Sequence, residues 1–175
     1  MAGALEIRES TQADLAAIEA LYSRAFPEEE LLPLVRDLLQ DPGVALSLVG
    51  VIDANVAGHV VFTMCGVDGS DVKAALLGPL AVEPARQRQG VGSALVNAGL
   101  QRLAGEDIDL VCVLGDPRYY GRLGFIPDAR VEPPYDLPPE WTSAWQSQYL
   151  DDTTSPCFGR LAVPRQWLKP ALWAP

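Results

Sequence analysis

Residues 82–96 read VEPARQRQGVGSALV, and the fold turns on how this stretch is understood. An apolar run ends at Pro84, two arginines and two glutamines follow, Gly90 and Gly92 flank Val91, and a helix of small residues begins. Successive backbone N–H groups at a helix start point at an anion, aided by the helix dipole, and side chains at the glycine positions would block close approach. The stretch therefore reads as a phosphate loop, although a glycine-rich helix start without a ligand has the same composition. A dinucleotide fingerprint fits poorly, because Leu95 stands where a small residue belongs and the strand ends about eight residues before Gly90. A P-loop requires Gly-Lys followed by Ser or Thr, and no lysine is near. What remains is Gln-x-x-Gly-x-Gly, met by Gln87, Gly90 and Gly92.

Outward from the loop, residues 91–104 are predicted helical, with Gly105 closing the helix, and residues 108–114 read as a buried strand. Strand, helix and strand in that order make a crossover, so residues 72–82 and 108–114 are expected to run parallel. Upstream, residues 44–52, 56–67 and 72–82 are three strand-like runs separated by Asp53-Ala54-Asn55 and Asp68-Gly69-Ser70, a meander of antiparallel hairpins. Gly78-Pro79 interrupts the third run, and a proline there removes a ladder donor, so this strand is expected to leave regular pairing.

Residues 5–8 predict a first strand. Thr11 with Asp14 resembles a capping box opening a helix with Leu15, Ile18, Leu21, Tyr22 and Ala25 on one face. Residues 28–40 predict a second helix, kinked or delayed by Pro33. Asp116-Pro117 caps a short helix that Gly124 closes. Beyond residue 126 the texture changes: nine of fifteen prolines and all four tryptophans fall there, and residues 158–163 are the clearest strand.

At 175 residues a single domain is expected, with a core over about residues 4–130 and an extension over about 131–175 packed on it. A formal charge of −10 argues against nucleic acid and anionic membrane as partners. No run reaches the roughly 18 apolar residues of a membrane span, and the N-terminus lacks a signal-peptide pattern, which predicts a cytoplasmic protein. Three scattered cysteines and the lone His59 predict neither a disulfide framework nor a metal site. Against the acidic whole, Arg86 and Arg88 in the loop and Arg118 and Arg122 further on form two local concentrations of positive charge.

LLGPLAVEPARQRQGVGSAL (residues 76–95) and VLGDPRYYGRLGF (residues 113–125) together resemble the GNAT superfamily of N-acetyltransferases. The resemblance implies an α/β fold: a central mixed, mostly antiparallel sheet with splayed parallel strands, flanked by helices. It implies acetyl-CoA as cosubstrate, no metal, and a primary amine of a small molecule or peptide as acceptor, reached by direct attack in a ternary complex. It assigns the phosphates to backbone N–H groups of Gln87, Arg88, Gln89, Gly90, Val91 and Gly92, with Ser93 adding a hydroxyl. Leu80, Ala81 and Val82 would hold pantetheine like a neighbouring strand, with an N–H near Leu80 facing the thioester oxygen.

Tyr120, four places before Gly124, maps to the family's proton donor to sulfur; a phenol with a pKa of about 10 is protonated at neutral pH. No base stands out. A lone strand histidine such as His59 is more often structural, Glu83 and residues 28–30 have other reasons to be acidic, and Cys112 reads as a core thiol. Two other classes stay open at this level: a non-catalytic acyl-CoA binding or sensing module with a protein partner, and, more distantly, a nucleotide-binding oxidoreductase. A homodimer contact through the tryptophan-rich extension is also open.

Overall fold

A computed structural model describes residues 3–175. The described residues form two compact units, residues 3–62 with 78–99 and residues 63–77 with 100–175. Nine strands make one mixed sheet among the described residues: β1 (Glu6–Glu9), β2 (Ala45–Ile52), β3 (Asn55–Val67), β4 (Lys73–Val82), β5 (Leu110–Leu114), β6 (Ile126–Pro127), β7 (Val131–Glu132), β8 (Trp145–Tyr149) and β9 (Gly159–Ala162). The helices are α1 (Leu15–Ala25), α2 (Leu32–Leu39), α3 (Val91–Gly105) and α4 (Pro117–Tyr120). Hydrogen-bonded order along the main path is β1-β2-β3-β4-β5-β8-β6.

In the first unit β1 lies antiparallel to β2, with Glu6 opposite Val51 and Glu9 opposite Leu48. The β2–β3 turn places Asp53 and Ala54 at φ 51° and 65°, the left-handed pair that a two-residue hairpin requires. Helix α1 buries Ile18, Leu21 and Tyr22, which pack with Val35 of α2, Val49 of β2 and Ala81 of β4. The 3.6-residue spacing read from the sequence thus selects the face that meets the sheet. Helix α2 is shorter than the span 28–40 expected of it. It opens at Leu32 with Pro33 in its first turn, where the missing N–H costs nothing, and the acidic residues 28–30 lie outside it.

Helix α3 approaches β3 closely because two glycines leave room. A Cβ on Gly58 would stand 2.8 Å from Leu95 Cδ1 and 2.9 Å from Val91 Cγ1, and one on Gly99 would stand 2.1 Å from the Phe62 ring. The first turns of α3, and the loop that feeds them, are seated by that contact.

In the second unit β4 runs parallel to β5, from Ala74 opposite Leu110 to Leu77 opposite Val113. Gly78 follows with φ 141°, a backbone open to glycine, so this register ends where Gly78-Pro79 was expected to end it. Strand β8 pairs antiparallel with β5, from Leu110 opposite Tyr149 to Leu114 opposite Trp145, and β6 pairs with β8. β9 joins the end of β3 and runs parallel to β7. The strand expected over 158–163 is thus Gly159–Ala162, and β8 was not anticipated. Trp145, Trp167 and Trp173 are buried in this unit. Trp167 Nε1 donates to Thr63 Oγ1 at 3.0 Å and Trp173 Nε1 to the Trp167 carbonyl at 3.1 Å.

Candidate functional site

The loop of the first unit begins as β4 ends. Glu83 N–H donates to the Ala57 carbonyl at 2.8 Å, a single 3-10 turn covers Pro84–Arg86, and residues 87–90 turn into α3 at Val91. Gln87 Nε2 reaches back to the Val82 carbonyl at 3.3 Å and Gln89 Nε2 to the Ala85 carbonyl at 3.2 Å, which ties the loop to its own strand and turn. Arg88 and Gly90 both adopt positive φ, 64° and 86°, the left-handed steps from which anion-binding nests of backbone N–H groups are built.

Gln87, Arg88, Gln89 and Gly90 are exposed, Ser93 is half-buried, Gly92 is buried, and Val91 is buried where α3 meets the sheet. Among the described residues neither Arg86 nor Arg88 pairs with a carboxylate, whereas Arg8, Arg24 and Arg36 all do. An anion carrier fits this geometry: two uncommitted cations and the N–H groups of the first turn of a 15-residue helix, which have no partner within the helix. Leu80 and Val82 are half-buried, and Ala81 is buried in the core cluster of α1 and α2. The structure therefore brings all ten residues expected at the cofactor into one unit.

Tyr120 stands in the other unit, at the end of α4. Asp116 caps that helix, accepting from Arg118 N–H at 2.9 Å, and the Tyr120 N–H donates to the Asp116 carbonyl at 3.0 Å. The ring fits against Gly115, where a Cβ would stand 2.4 Å from Cε2. It packs edge-on to Tyr119 and to Phe125, at centroid distances of 4.9 and 5.8 Å. Arg122 lies over the Tyr119 ring at 5.7 Å. Burial, with a smaller contribution from Tyr119, pushes the Tyr120 phenol above its ordinary value, so it stays protonated at neutral pH. Sequence reading missed Gln146 of β8, whose Nε2 donates to the Gly115 carbonyl at 3.1 Å and fixes the turn before α4.

Other candidates sort by environment. His59 is fully buried; its Nδ1 lies 2.8 Å from Tyr22 Oη and its Nε2 2.8 Å from Ser47 Oγ. Burial pushes its pKa down to about 3, against a smaller upward pull from the Asp14 carboxylate, so the ring is neutral. Glu83 is committed to Arg24 on α1, and residues 28–30 are exposed. Cys112 is buried between β4 and β8, and burial raises its thiol far above the thiolate range, while Cys65 is pushed up to about 12. Neither thiol is an available nucleophile. Among the described residues no three His, Cys, Asp or Glu side chains converge as a metal site would need, and no helix is long and apolar enough to cross a membrane.

Comparison with known proteins converges on one chemistry. The sequence profile of the acetyltransferase (GNAT) family matches residues 15–125. The chain is 35% identical over 150 residues to the uncharacterized N-acetyltransferase YhbS of Escherichia coli K12, spanning 83% of this chain and 87% of that protein. It is 34% identical over 146 residues to the uncharacterized N-acetyltransferase YjhQ of the same strain, spanning 79% and 81%. Among solved structures, E. coli YhbS in complex with CoA superposes with a TM-score of 0.85 at 31% identity, covering 94% of this chain and 92% of that one. A Brucella melitensis GNAT acetyltransferase in complex with acetyl-CoA gives 0.76 at 27% identity, covering 94% and 98%.

Proposed function

Since the chain belongs to the acetyltransferase (GNAT) family, we propose that it transfers an acetyl group from acetyl-CoA to a primary amine of a small molecule or peptide, by direct attack in a ternary complex. The observation that carries this reading is the loop over residues 86–92, with two left-handed steps and two arginines free of carboxylates at the mouth of α3. Relatives whose structures hold CoA or acetyl-CoA support the choice of carrier.

Acetyl-CoA supplies the acyl group as a thioester. In this chain the N–H groups of Gln87, Arg88, Gln89, Gly90, Val91 and Gly92 take the pyrophosphate, with Ser93 adding a hydroxyl, and Arg86 and Arg88 balance its charge. Leu80, Ala81 and Val82 align the pantetheine arm through their backbone, and the N–H near Leu80 is the donor to the thioester oxygen. Tyr120 gives its proton to the departing sulfur.

Release of free CoA thiol, followed across a broad panel of amines, tests the activity. Turnover of none of them alongside tight CoA binding would describe a binding module instead. Tyr120→Phe is expected to lose roughly a hundredfold in kcat with little change in acetyl-CoA affinity, the range of a removed general acid. A Tyr120→Phe enzyme of full rate removes Tyr120 from this role. Gly92→Glu puts a side chain and a negative charge at the helix mouth, and calorimetry should find acetyl-CoA binding abolished.

A further inference from the structure

Four side chains of the first unit form an unbroken run of hydrogen bonds that acetyl transfer, as described, leaves unused. Tyr22 Oη lies 2.8 Å from His59 Nδ1, His59 Nε2 lies 2.8 Å from Ser47 Oγ, and Ser10 Oγ lies 2.7 Å from Ser47 Oγ. Each terminal residue of the run also lines a cavity. Tyr22 lines one of about 370 Å³ with Phe26, Leu31 and Leu32, and with Glu29 and Glu30 in its wall. Ser10 lines another of about 380 Å³ with Thr11 and Gln12.

A neutral imidazole between hydroxyls has two complete arrangements. In one, Tyr22 donates to Nδ1 and Nε2–H donates to Ser47, which donates to Ser10; in the other every donor is reversed. Passing between them carries one proton from end to end without placing a charge on the buried ring, whose only charged influence is the Asp14 carboxylate, itself held by Arg8. The cavity at the Tyr22 end is suited to an acceptor. Its Phe26, Leu31 and Leu32 pack on the cluster that contains Ala81, a residue assigned to the acyl carrier; of its charged lining Arg36 is paired with Glu19, which leaves Glu29 and Glu30 to favour a cation.

A primary alkylamine arrives as ammonium at neutral pH, since its pKa is about 10, like that of lysine. Its nitrogen must shed two protons on becoming an amide. One is balanced by the proton that reaches sulfur, and the other must leave for solvent. Building on the acetyl-transfer reading, we propose that Tyr22, His59, Ser47 and Ser10 are a proton relay that drains an alkylammonium acceptor held in the Tyr22 cavity. The ammonium N–H passes to Tyr22 Oη as the phenolic proton passes to His59 Nδ1. The Nε2 proton goes to Ser47, the Ser47 proton to Ser10, and the Ser10 proton to water. Each pass leaves the opposite tautomer, which reverts once the product has left: a proton from water enters at Ser10, the chain hops back, and one proton leaves from Tyr22 to water in the emptied cavity. Tyr22 is the catalytic residue of this relay, and the other three act through it.

The chain has one histidine, so nitrogen-15 histidine labelling yields the spectrum of His59 alone. Titration with 2-phenylethylamine is expected to shift its tautomer balance in the native enzyme and not in Tyr22→Phe. In kinetics, Tyr22→Phe and Ser47→Ala should lose on the order of tenfold to a hundredfold in kcat with phenylethylamine. The loss should be far smaller with its β,β-difluoro analogue, which arrives largely deprotonated. An amine that does not bind, a spectrum that ignores the bound amine, or equal losses on both amines overturns the relay, since a merely structural histidine predicts these. A responsive spectrum with neither amine turned over supports the relay and counts instead against acetyl transfer to these acceptors.

Discussion

Arg88 shows how one residue serves two demands that pull apart. Its φ of 64° is a conformation that costs an ordinary side chain about 1 kcal/mol and glycine almost nothing. Arg88→Gly is therefore expected to raise thermal stability slightly, by up to about 1 kcal/mol after the flexibility gained by the unfolded chain is counted. The same change should weaken acetyl-CoA binding, because a cation free of carboxylates is removed; calorimetry beside a melt reads both. The turn of the loop was legible because its glycines announce it, and the left-handed steps fall at Arg88 and Gly90; Tyr120, four places before Gly124, was reached only through the family resemblance. The partners of His59 were not legible. Tyr22 and Ser47 reach it from a helix and a neighbouring strand, and nothing local in the sequence brings them together.

At the scale of elements, the start of α1 depends on one carboxylate. Asp14 accepts from the Thr11 N–H at 2.7 Å and from both arms of Arg8 at 2.8 and 3.0 Å. The Arg8 hydrogen bonds first, and those from Thr11 after burial is overcome, hold its pKa down to about 2, from an ordinary 3.8. A depressed carboxylate stabilises the folded state above the unfolded pKa, and that contribution disappears as pH falls through the folded one. The native protein is therefore expected to lose about 2 kcal/mol between pH 4 and pH 2 from this group. Asp14→Asn should melt lower at pH 7 and show a shallower acid limb in a pH series of melts.

Among elements, α1, α3 and the meander followed from periodicity and turn residues. Strand β8 escaped because its sequence, WQSQY, has no apolar alternation. Its polar residues are buried through hydrogen bonds instead, Gln146 to the Gly115 carbonyl and Ser147 to Asp128. A pattern search for apolar faces passes over such a strand.

At the scale of the whole chain, the C-terminal segment is anchored in the interior by its tryptophans, although the residues around Trp173 are mostly exposed. Trp173 is 2% exposed, meets Trp145 and Trp167 at centroid distances of 5.8 and 5.9 Å, and closes on the Trp167 carbonyl. Trp173→Ala should cost about 3–5 kcal/mol, the range for emptying a large aromatic site, and removal of residues 164–175 should leave a second unit that no longer melts cooperatively. The change of texture after residue 126 was visible in the sequence, but which tryptophans would be buried depended on contacts with Thr63 and Val131 that lie far away along the chain.

All four tryptophans belong to the unit that carries Tyr120, and the only histidine belongs to the unit that carries the loop. The molecule is thus labelled by nature in two colours. Ultraviolet emission excited at the indole band follows one unit, and the imidazole resonances follow the other, so each can be watched during ligand titration or unfolding without a dye or an engineered probe.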